Sequence, residues 1–584
     1  MKRLSRLLFP LLTVAALGAA RPASALPGFY AGKKEAKRHS YATHVVLMTK
    51  GNYSVVTVAP DYDGPLDAFA LVMPVPADVT TEHVQTLKRE FVDRVENITA
   101  PRFHEFWEMD PCEPGPPEQI WEQSMKAKAG TAFLGGGPVI GDPTKKVAKE
   151  LFIDVKPSFK EAEAEYGYTV LTPEQSGNVA GWLEGKGYIA PAGANEAVKP
   201  YLDKGMTLLV AEVDPKRVEL VGGDRAQLSP IRYWSEKPIT TIPAKLGLLN
   251  LDDKQELFVY VLAPDKRYEA KNYDNVFPPT NLSVDFVAKE RMGELYAAIH
   301  DKLLAKNPKG VLDEFAWTTK GCGRPCATEP LMPHELMSLG GDVLEQGVAD
   351  EEKNPEPPEL TEKEQKEYDA KVKELKGKEK TEYKKTFEEE RKEVARRKAL
   401  IARNVYVLSR LHHRYDASNL PTDIEVGPAE PVGGGTGIPK GEAHELSTEV
   451  KPAKRNELQV RFNFFHPWNG MVKCEKPEHW RWGKPPRTYR GLRKTWVATD
   501  LTRKNRKQID PDKVVFTPVP SIGIAGATPD GGTAADGGDA GTEGAGDKKK
   551  SCGCSVPGAP EAPGPSVVLL LAAGAVALSR RRRR

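Results

Sequence analysis

Residues 43–76 read THVVLMT, a Lys50-Gly51-Asn52 turn, YSVVTVAPDY, an Asp63-Gly64-Pro65 turn and DAFALVMPVP. Runs of β-branched and aromatic residues between Gly and Pro turn signals predict strands, here three joined as an antiparallel meander. Comparable runs recur at residues 206–213, 255–262 and 458–465. Their wide spacing predicts a sheet assembled from distant parts of the chain. Between them, Thr172-Pro173-Glu174-Gln175 is a capping box with Pro at the first helical position, and Gly185 and Gly187 end that helix before Pro191. A second short helix is expected over residues 195–204, stopping at Gly205. The fold class is therefore α+β: an antiparallel, sheet-rich body with short helices.

Residues 360–403 have a different character. Of these 44 residues 26 are charged, with acids four positions before bases at 362/366, 374/378 and 393/397, among others. Each such pair adds a few tenths of a kcal/mol to a helix, so the segment is expected to be helical without a core beneath it. A thin stripe of Tyr368, Val372, Leu375, Tyr383, Phe387, Val394 and Ile401 can seat it on the body or on a partner. The seam is too sparse for a true coiled coil, which predicts a long, charged, solvated helical insertion with Gly377 as its hinge.

The two ends carry addresses. Lys2, Arg3 and Arg6 precede an apolar run at residues 7–20, and Ala23-Ser24-Ala25 supplies small residues for cleavage, so residues 1–25 read as a signal peptide. At the other end Ser551-Cys552-Gly553-Cys554-Ser555 leads into an apolar run at residues 567–578 and then Arg580 to Arg584. As a helix that run spans only ~18 Å against a ~30 Å hydrocarbon core. A sorting signal is expected in preference to a permanent transmembrane segment, with a tail anchor as the alternative. Residues 526–546 hold only Gly, Ala, Thr, Asp, Pro and Glu, the composition of a flexible, disordered tether. The expected organisation is a signal peptide (1–25), a main domain in two parts (26–359 and 404–520) around the insertion (360–403), the tether (521–550) and the tag (551–584).

The net charge of +3 includes nine basic residues in the signal and the tail; without them 75 basic residues face 81 acidic ones, a balance of −6. That removes support for a global polyanion-binding role. Cys112, Cys322, Cys326 and Cys474 remain in the exported body, an even number in an oxidising compartment, which predicts disulfides. Of three pairings, Cys322 with Cys326 and Cys112 with Cys474 is favoured. The rival is zinc on Cys322, Cys326 and His334, a set that lacks a fourth ligand at a standard offset. No metal site and no cofactor is assigned.

Motifs for catalysis are missing from the sequence. An H-E-x-x-H metal-binding helix fails three times, because His104-Glu105, His334-Glu335 and His444-Glu445 each lack the second histidine. There is no G-x-S-x-G elbow and no phosphate-binding P-loop, so no catalytic residue is assigned. His412 and His413 are neighbours, and on a strand they face opposite sides, so they would not chelate one ion. An extracellular hydrolase would have to assemble its site from scattered residues, beginning with His413, Asp416 and His466. Residues 480–507 carry ten basic residues against one acidic, interleaved with Trp480, Trp482, Tyr489 and Trp496. Cations beside flat rings predict an anionic surface polymer as partner, held by Arg487, Arg490, Arg493 and Trp496, or else a patch facing anionic lipid headgroups.

Two resemblances add to this. The order of cysteine, apolar helix and arginine cluster resembles the MYXO-CTERM tag of myxobacterial surface proteins. That implies processing by a sorting protease, lipid modification at Cys552 or Cys554, and retention at the outer surface of the cell envelope. PGFY after the signal, THVVLM, FALVMPVP, GWLEGKGYIAP, YLDKGMTLLVAEV, LSPIRYW, IPAKLGLLN, QELFVYVLAP, YVLSRLHHRYD and FHPW together resemble domain-of-unknown-function family 2330, exported bacterial proteins, over residues 26–486. The family supplies no catalytic residue. The expectation is an exported, surface-anchored, non-enzymatic envelope or adhesion protein that touches the membrane through its tag and meets no intracellular nucleic acid.

Overall fold

The computed structural model describes residues 27–112, 156–160, 164–222, 225–250, 254–320, 330–442, 446–483 and 509–515. The expected signal peptide, tether and tag lie outside them. The elements used below are, in chain order, β1 (Phe29–Gly32), β2 (Ala42–Lys50), β3 (Tyr53–Asp63), β4 (Phe69–Pro76), α1 (Arg89–Thr99), β5 (Arg102–Glu108), β6 (Tyr166–Val170), β7 (Met206–Val213), β8 (Ile231–Ser235), β9 (Gln255–Ala263), α2 (Met292–Lys306), β10 (Gly310–Thr318), α3 (Glu362–Glu374), α4 (Gly377–Arg403), β11 (Val407–Tyr415), β12 (Glu457–Gln459) and β13 (Arg461–His466).

The turn at Lys50-Gly51-Asn52 forms as expected: β2 and β3 pair antiparallel from Lys50 opposite Tyr53 to Thr43 opposite Pro60. The third strand does not complete a meander. β4 leaves for a separate four-stranded sheet in the order β1-β4-β7-β6. The outer edge of β3 is already taken by β8, with Ile231 opposite Val58. The intervening Gly64 and Pro65 interrupt the ladder, so β4 continues in another layer.

β9 lies at the middle of the large sheet, parallel to β2 and antiparallel to β11, and β11 pairs antiparallel with β10. β10 comes from before the charged insertion and β11 from after it, so both parts of the expected main domain share one sheet. β2 and β9 read as unbroken apolar runs because both faces of the sheet are covered. On one face Val46, Met48, Phe258 and Leu262 pack against Phe91, Val92 and Val95 of α1 and Leu295, Ile299 and Leu303 of α2. On the other, Val45, Leu47, Val259 and Val261 pack against Phe69, Leu71 and Met73 of β4. The outward residues of β4, Ala70 and Val72, meet Val179, Leu183 and Val198 of short helices. The layers therefore run helix, large sheet, small sheet, helix.

Those short helices carry the expected capping box: Thr172 Oγ1 accepts from the Gln175 amide at 3.3 Å, and Gln175 Oε1 accepts from the Thr172 amide at 2.9 Å. The helix is split in two, Pro173–Gly177 and Val179–Gly185, because Asn178 leaves helical geometry and its Oδ1 caps the next turn at Gly181 N, 3.2 Å away. The next helix, Ala194–Leu202, ends ahead of Gly205 as expected.

The charged insertion is helical with its break at Gly377, whose φ of +54° puts it in the left-handed region where glycine is favoured. α3 and α4 fold back on each other there. Tyr368 of α3 sits 4.6 Å from Phe387 and 6.1 Å from Tyr383 of α4, ring centre to ring centre. The thin apolar stripe thus seats one helix on the other. The base of α4 is tied to the body by Arg403, whose Nε donates to Glu345 Oε2 at 2.7 Å.

Candidate functional site

The polar residues that converge lie on the helix-covered face of the large sheet. Strand alternation puts Glu256, Phe258 and Tyr260 of β9 on the same side as Arg410, His412 and Arg414 of β11, with Phe258 directly opposite both His412 and His44 of β2. From β10 comes Glu314, aimed into the face by a bulge: the register with β11 moves from Asp313 opposite Leu411 to Phe315 opposite Arg410 and skips Glu314. α2 lays its apolar stripe over this lane, and Tyr296, His300 and Asp301 interrupt that stripe.

The result is a chain of alternating charge. Arg410 Nε lies 2.6 Å from Glu314 Oε2, and Glu314 Oε1 lies 3.0 Å from His412 Nδ1. His412 Nε2 lies 2.8 Å from Glu256 Oε2, and Glu256 Oε1 lies 3.1 Å from Arg414 Nε. Arg414 Nη1 then reaches Asp301 Oδ1 at 2.6 Å. The chain starts fully buried at Arg410 and ends at Asp301, where the side chain is 38% exposed. Burial pushes the His412 imidazole down, but Glu314 and Glu256 outweigh it and hold its pKa above the ordinary histidine range. With a protonated His412, three cations meet three carboxylates.

Neighbouring groups are tuned the other way. Burial, with Arg89, Arg410 and His412 nearby, keeps His44 well below the ordinary range, so it stands neutral against the Tyr260 hydroxyl at 2.9 Å. The Arg410 guanidinium also lies 4.6 Å from the centre of the Phe258 ring. Among the described residues, Glu256, His300 and His412 are the group whose ligand atoms, one from each residue, come within 4.8 Å of one another in a way that suits a metal ion.

His412 and His413 face opposite sides, as the strand reading requires. His413 turns away from the charge chain, bonds the Gly310 carbonyl through Nδ1 at 2.9 Å and is pushed down to about 4, chiefly by burial. Asp416 closes a turn, accepting from the Ser418 amide at 2.8 Å. His466 stacks on Trp107 with ring centres 3.7 Å apart, in the sheet of β5 and β13. Each of these three residues thus has its own separate set of partners. Of the three His-Glu pairs, Glu105 faces Lys289 at 3.3 Å, Glu335 faces Arg94 at 2.8 Å, and His444-Glu445 lies outside the described residues.

Cys112 and Cys474 are joined as a disulfide, with Cα atoms 5.4 Å apart across a separation of 362 residues. Cys322, Cys326, Cys552, Cys554, Arg487, Arg490, Arg493 and Trp496 lie outside the described residues. The basic–aromatic segment enters the described body at Trp480, in the left-handed region at φ +64°. Glu108 anchors it there, accepting from the amides of Trp468 at 2.8 Å and Trp480 at 2.9 Å and facing His479 Nδ1 at 3.1 Å. Burial raises the Glu108 carboxyl, but those amides and His479 prevail and hold it low.

Sequence reasoning missed Glu256, His300, Glu314, Arg410 and Arg414. The available signal was period-two polarity inside apolar strands, Arg410-x-His412-x-Arg414 across from Glu256-x-Phe258-x-Tyr260. Glu314 was hidden because a bulge breaks that period.

Residues 21–427 match the family model described as "Uncharacterized protein conserved in bacteria (DUF2330)". The chain belongs to this family. The match holds every residue of the charge chain and ends at 427, so FHPW, Cys474 and Trp480 of the DUF2330 chain fall beyond it. No curated protein matches this DUF2330 chain. Among solved structures, the crystal structure of baculovirus P35 is similar at 12% identity and a TM-score of 0.18, covering 41% of this chain and 68% of that one. Such a likeness carries no argument about fold or function.

Proposed function

We propose that this DUF2330 protein is exported and displayed at the outer surface of the cell envelope, where it acts as a non-enzymatic envelope or binding component. The observation that carries the reading is the Cys112–Cys474 disulfide, since such bonds persist in oxidising compartments and are rare in reducing cytosol. Support for a non-enzymatic role comes from the site itself. Glu256, His300, Glu314, Arg410 and His412 are each at most 2% exposed, which suits holding a fold together more than meeting a substrate. His413, Asp416 and His466, the residues a scattered hydrolase site would need, have separate partners. Retention would use the tag at Cys552 or Cys554 after removal of residues 1–25, and the arginines at 487, 490 and 493 with Trp496 would take an anionic surface polymer.

Mass spectrometry of the mature protein from the envelope of its producing cell tests this. The expected result is Leu26 at the amino end, a lipidated end near Cys552 or Cys554, and a Cys112–Cys474 cross-linked peptide before reduction. Free thiols at both positions, with Met1 and Arg584 intact in a cytosolic fraction, would overturn it. Salt-sensitive retention on an immobilised polyanion should vanish when Arg487, Arg490 and Arg493 become Ala.

A further inference from the structure

We propose that Glu256, His300 and His412 hold one divalent transition-metal ion of the zinc type, which clamps α2 onto the large sheet. The three donors come from three elements, β9, α2 and β11, and their ligand atoms lie within 4.8 Å of one another. Two imidazoles and a carboxylate are a ligand set that borderline cations such as Zn²⁺ favour. Three protein donors would leave the fourth tetrahedral position to a bound water, and at bonds of about 2.0–2.1 Å tetrahedral ligands stand roughly 3.3 Å apart, so the 2.8 Å His412–Glu256 pair would open slightly.

The surroundings are those of a metal centre. A metal-bound histidine normally gives its other ring N–H to a carboxylate or carbonyl, which fixes the tautomer and ring orientation. Glu314 stands 3.0 Å from His412 Nδ1, so it would accept that N–H and leave Nε2 for the ion. Glu314 is itself fixed by Arg410 at 2.6 Å. The Glu256 oxygen that does not face His412 lies 3.1 Å from Arg414 Nε, which would hold the carboxylate in place. The ligands are 2%, 0% and 0% exposed, so water would compete little for them. A proton on His412 is the alternative occupant of the same position, and it needs no His300. The presence of a second imidazole on the helix, with its ring centre 4.6 Å from that of His412, favours the ion.

The test uses the full chain, purified with its disulfide intact from zinc-replete medium. Elemental analysis after exhaustive dialysis should find about one equivalent of zinc or another first-row divalent ion per chain. A strong chelator should lower Tm, and added Zn²⁺ should restore it. His300→Ala and Glu256→Gln should each lose the metal and the chelator effect. Cobalt substitution of the unmutated protein should give d–d absorption without a sulfur charge-transfer band, a readout that stands even if a variant fails to fold. Substoichiometric metal with a chelator-insensitive Tm would leave the proton as occupant and overturn the proposal. Metal retained in both variants, or a thiolate band on cobalt, would place the ion on cysteines such as Cys322 and Cys326, and would overturn it equally.

Discussion

Glu314 is skipped by the β10–β11 register, yet its carboxylate lies 2.6 Å from the Nε of Arg410 on the neighbouring strand. The bulge that removes it from the ladder is what turns it towards the guanidinium. Both side chains are fully buried.

Removing one partner of a buried ion pair leaves the other charge uncompensated, at a cost of about 3–5 kcal/mol. Glu314→Ala is therefore expected to lose stability on that scale in urea unfolding. The Glu314→Leu/Arg410→Met double variant should recover most of the loss, because it removes both charges. A double variant no more stable than the single one would show that packing, not charge, sets the cost.

The Cys112–Cys474 link joins residues 362 apart, and losing a native disulfide typically costs about 2–5 kcal/mol. Cys112→Ser and Cys474→Ser should match each other in thermal melts. Unequal losses would mean that one cysteine stabilises the fold by some other route.

Asp313 points the opposite way from Glu314. Burial pushes its carboxyl up to about 8 despite Arg267, whose Nη1 lies 3.9 Å away; Lys271 also lowers it, and Glu269 raises it. The folded protein keeps this proton at pH values where the unfolded chain has released it. Stability from this group therefore falls as pH rises from about 4 to about 8, by up to about 1.4 kcal/mol per pH unit, and levels off above that. Asp313→Asn should flatten this slope, gaining more in Tm at pH 8 than at pH 5. A uniform gain or loss across that range would contradict the assignment.

Gly377 at φ +54° turns α3 back on α4, and an alanine there costs roughly 1 kcal/mol of left-handed strain. A Cβ at this position meets nothing within 4 Å, so the effect should be confined to backbone strain. Hydrogen exchange is expected to quicken over residues 362–403 in Gly377→Ala, while the main melting transition of the body stays in place. A lowered main transition would mean that the hairpin is part of the core.

Much of this was written in local chemistry. The strands at residues 206–213 and 255–262, the Thr172 capping box, the break at Gly377 and the helicity of residues 360–403 each depend on neighbours within a few positions. The opposed faces of His412 and His413 follow from strand geometry alone. The departure of β4 was not legible, because it depends on β8, more than 150 residues away, having occupied the free edge of β3. Nor was the hairpin, since the stripe of Tyr368, Tyr383 and Phe387 does not say what it will cover.

By itself the sequence determined which segments form strands and helices, because turn signals, caps and apolar period act over a few residues. It also determined membership of the DUF2330 family, through ordered motifs spread along the chain. Only the tertiary structure decided that Glu256, His300, Glu314 and His412 meet. Their positions span 157 residues, and they converge because an antiparallel pairing, a bulge and one helix face turn them to the same buried layer. A side chain's distant neighbours depend on sheet order, and sheet order is set by the burial of whole faces, which no local pattern encodes.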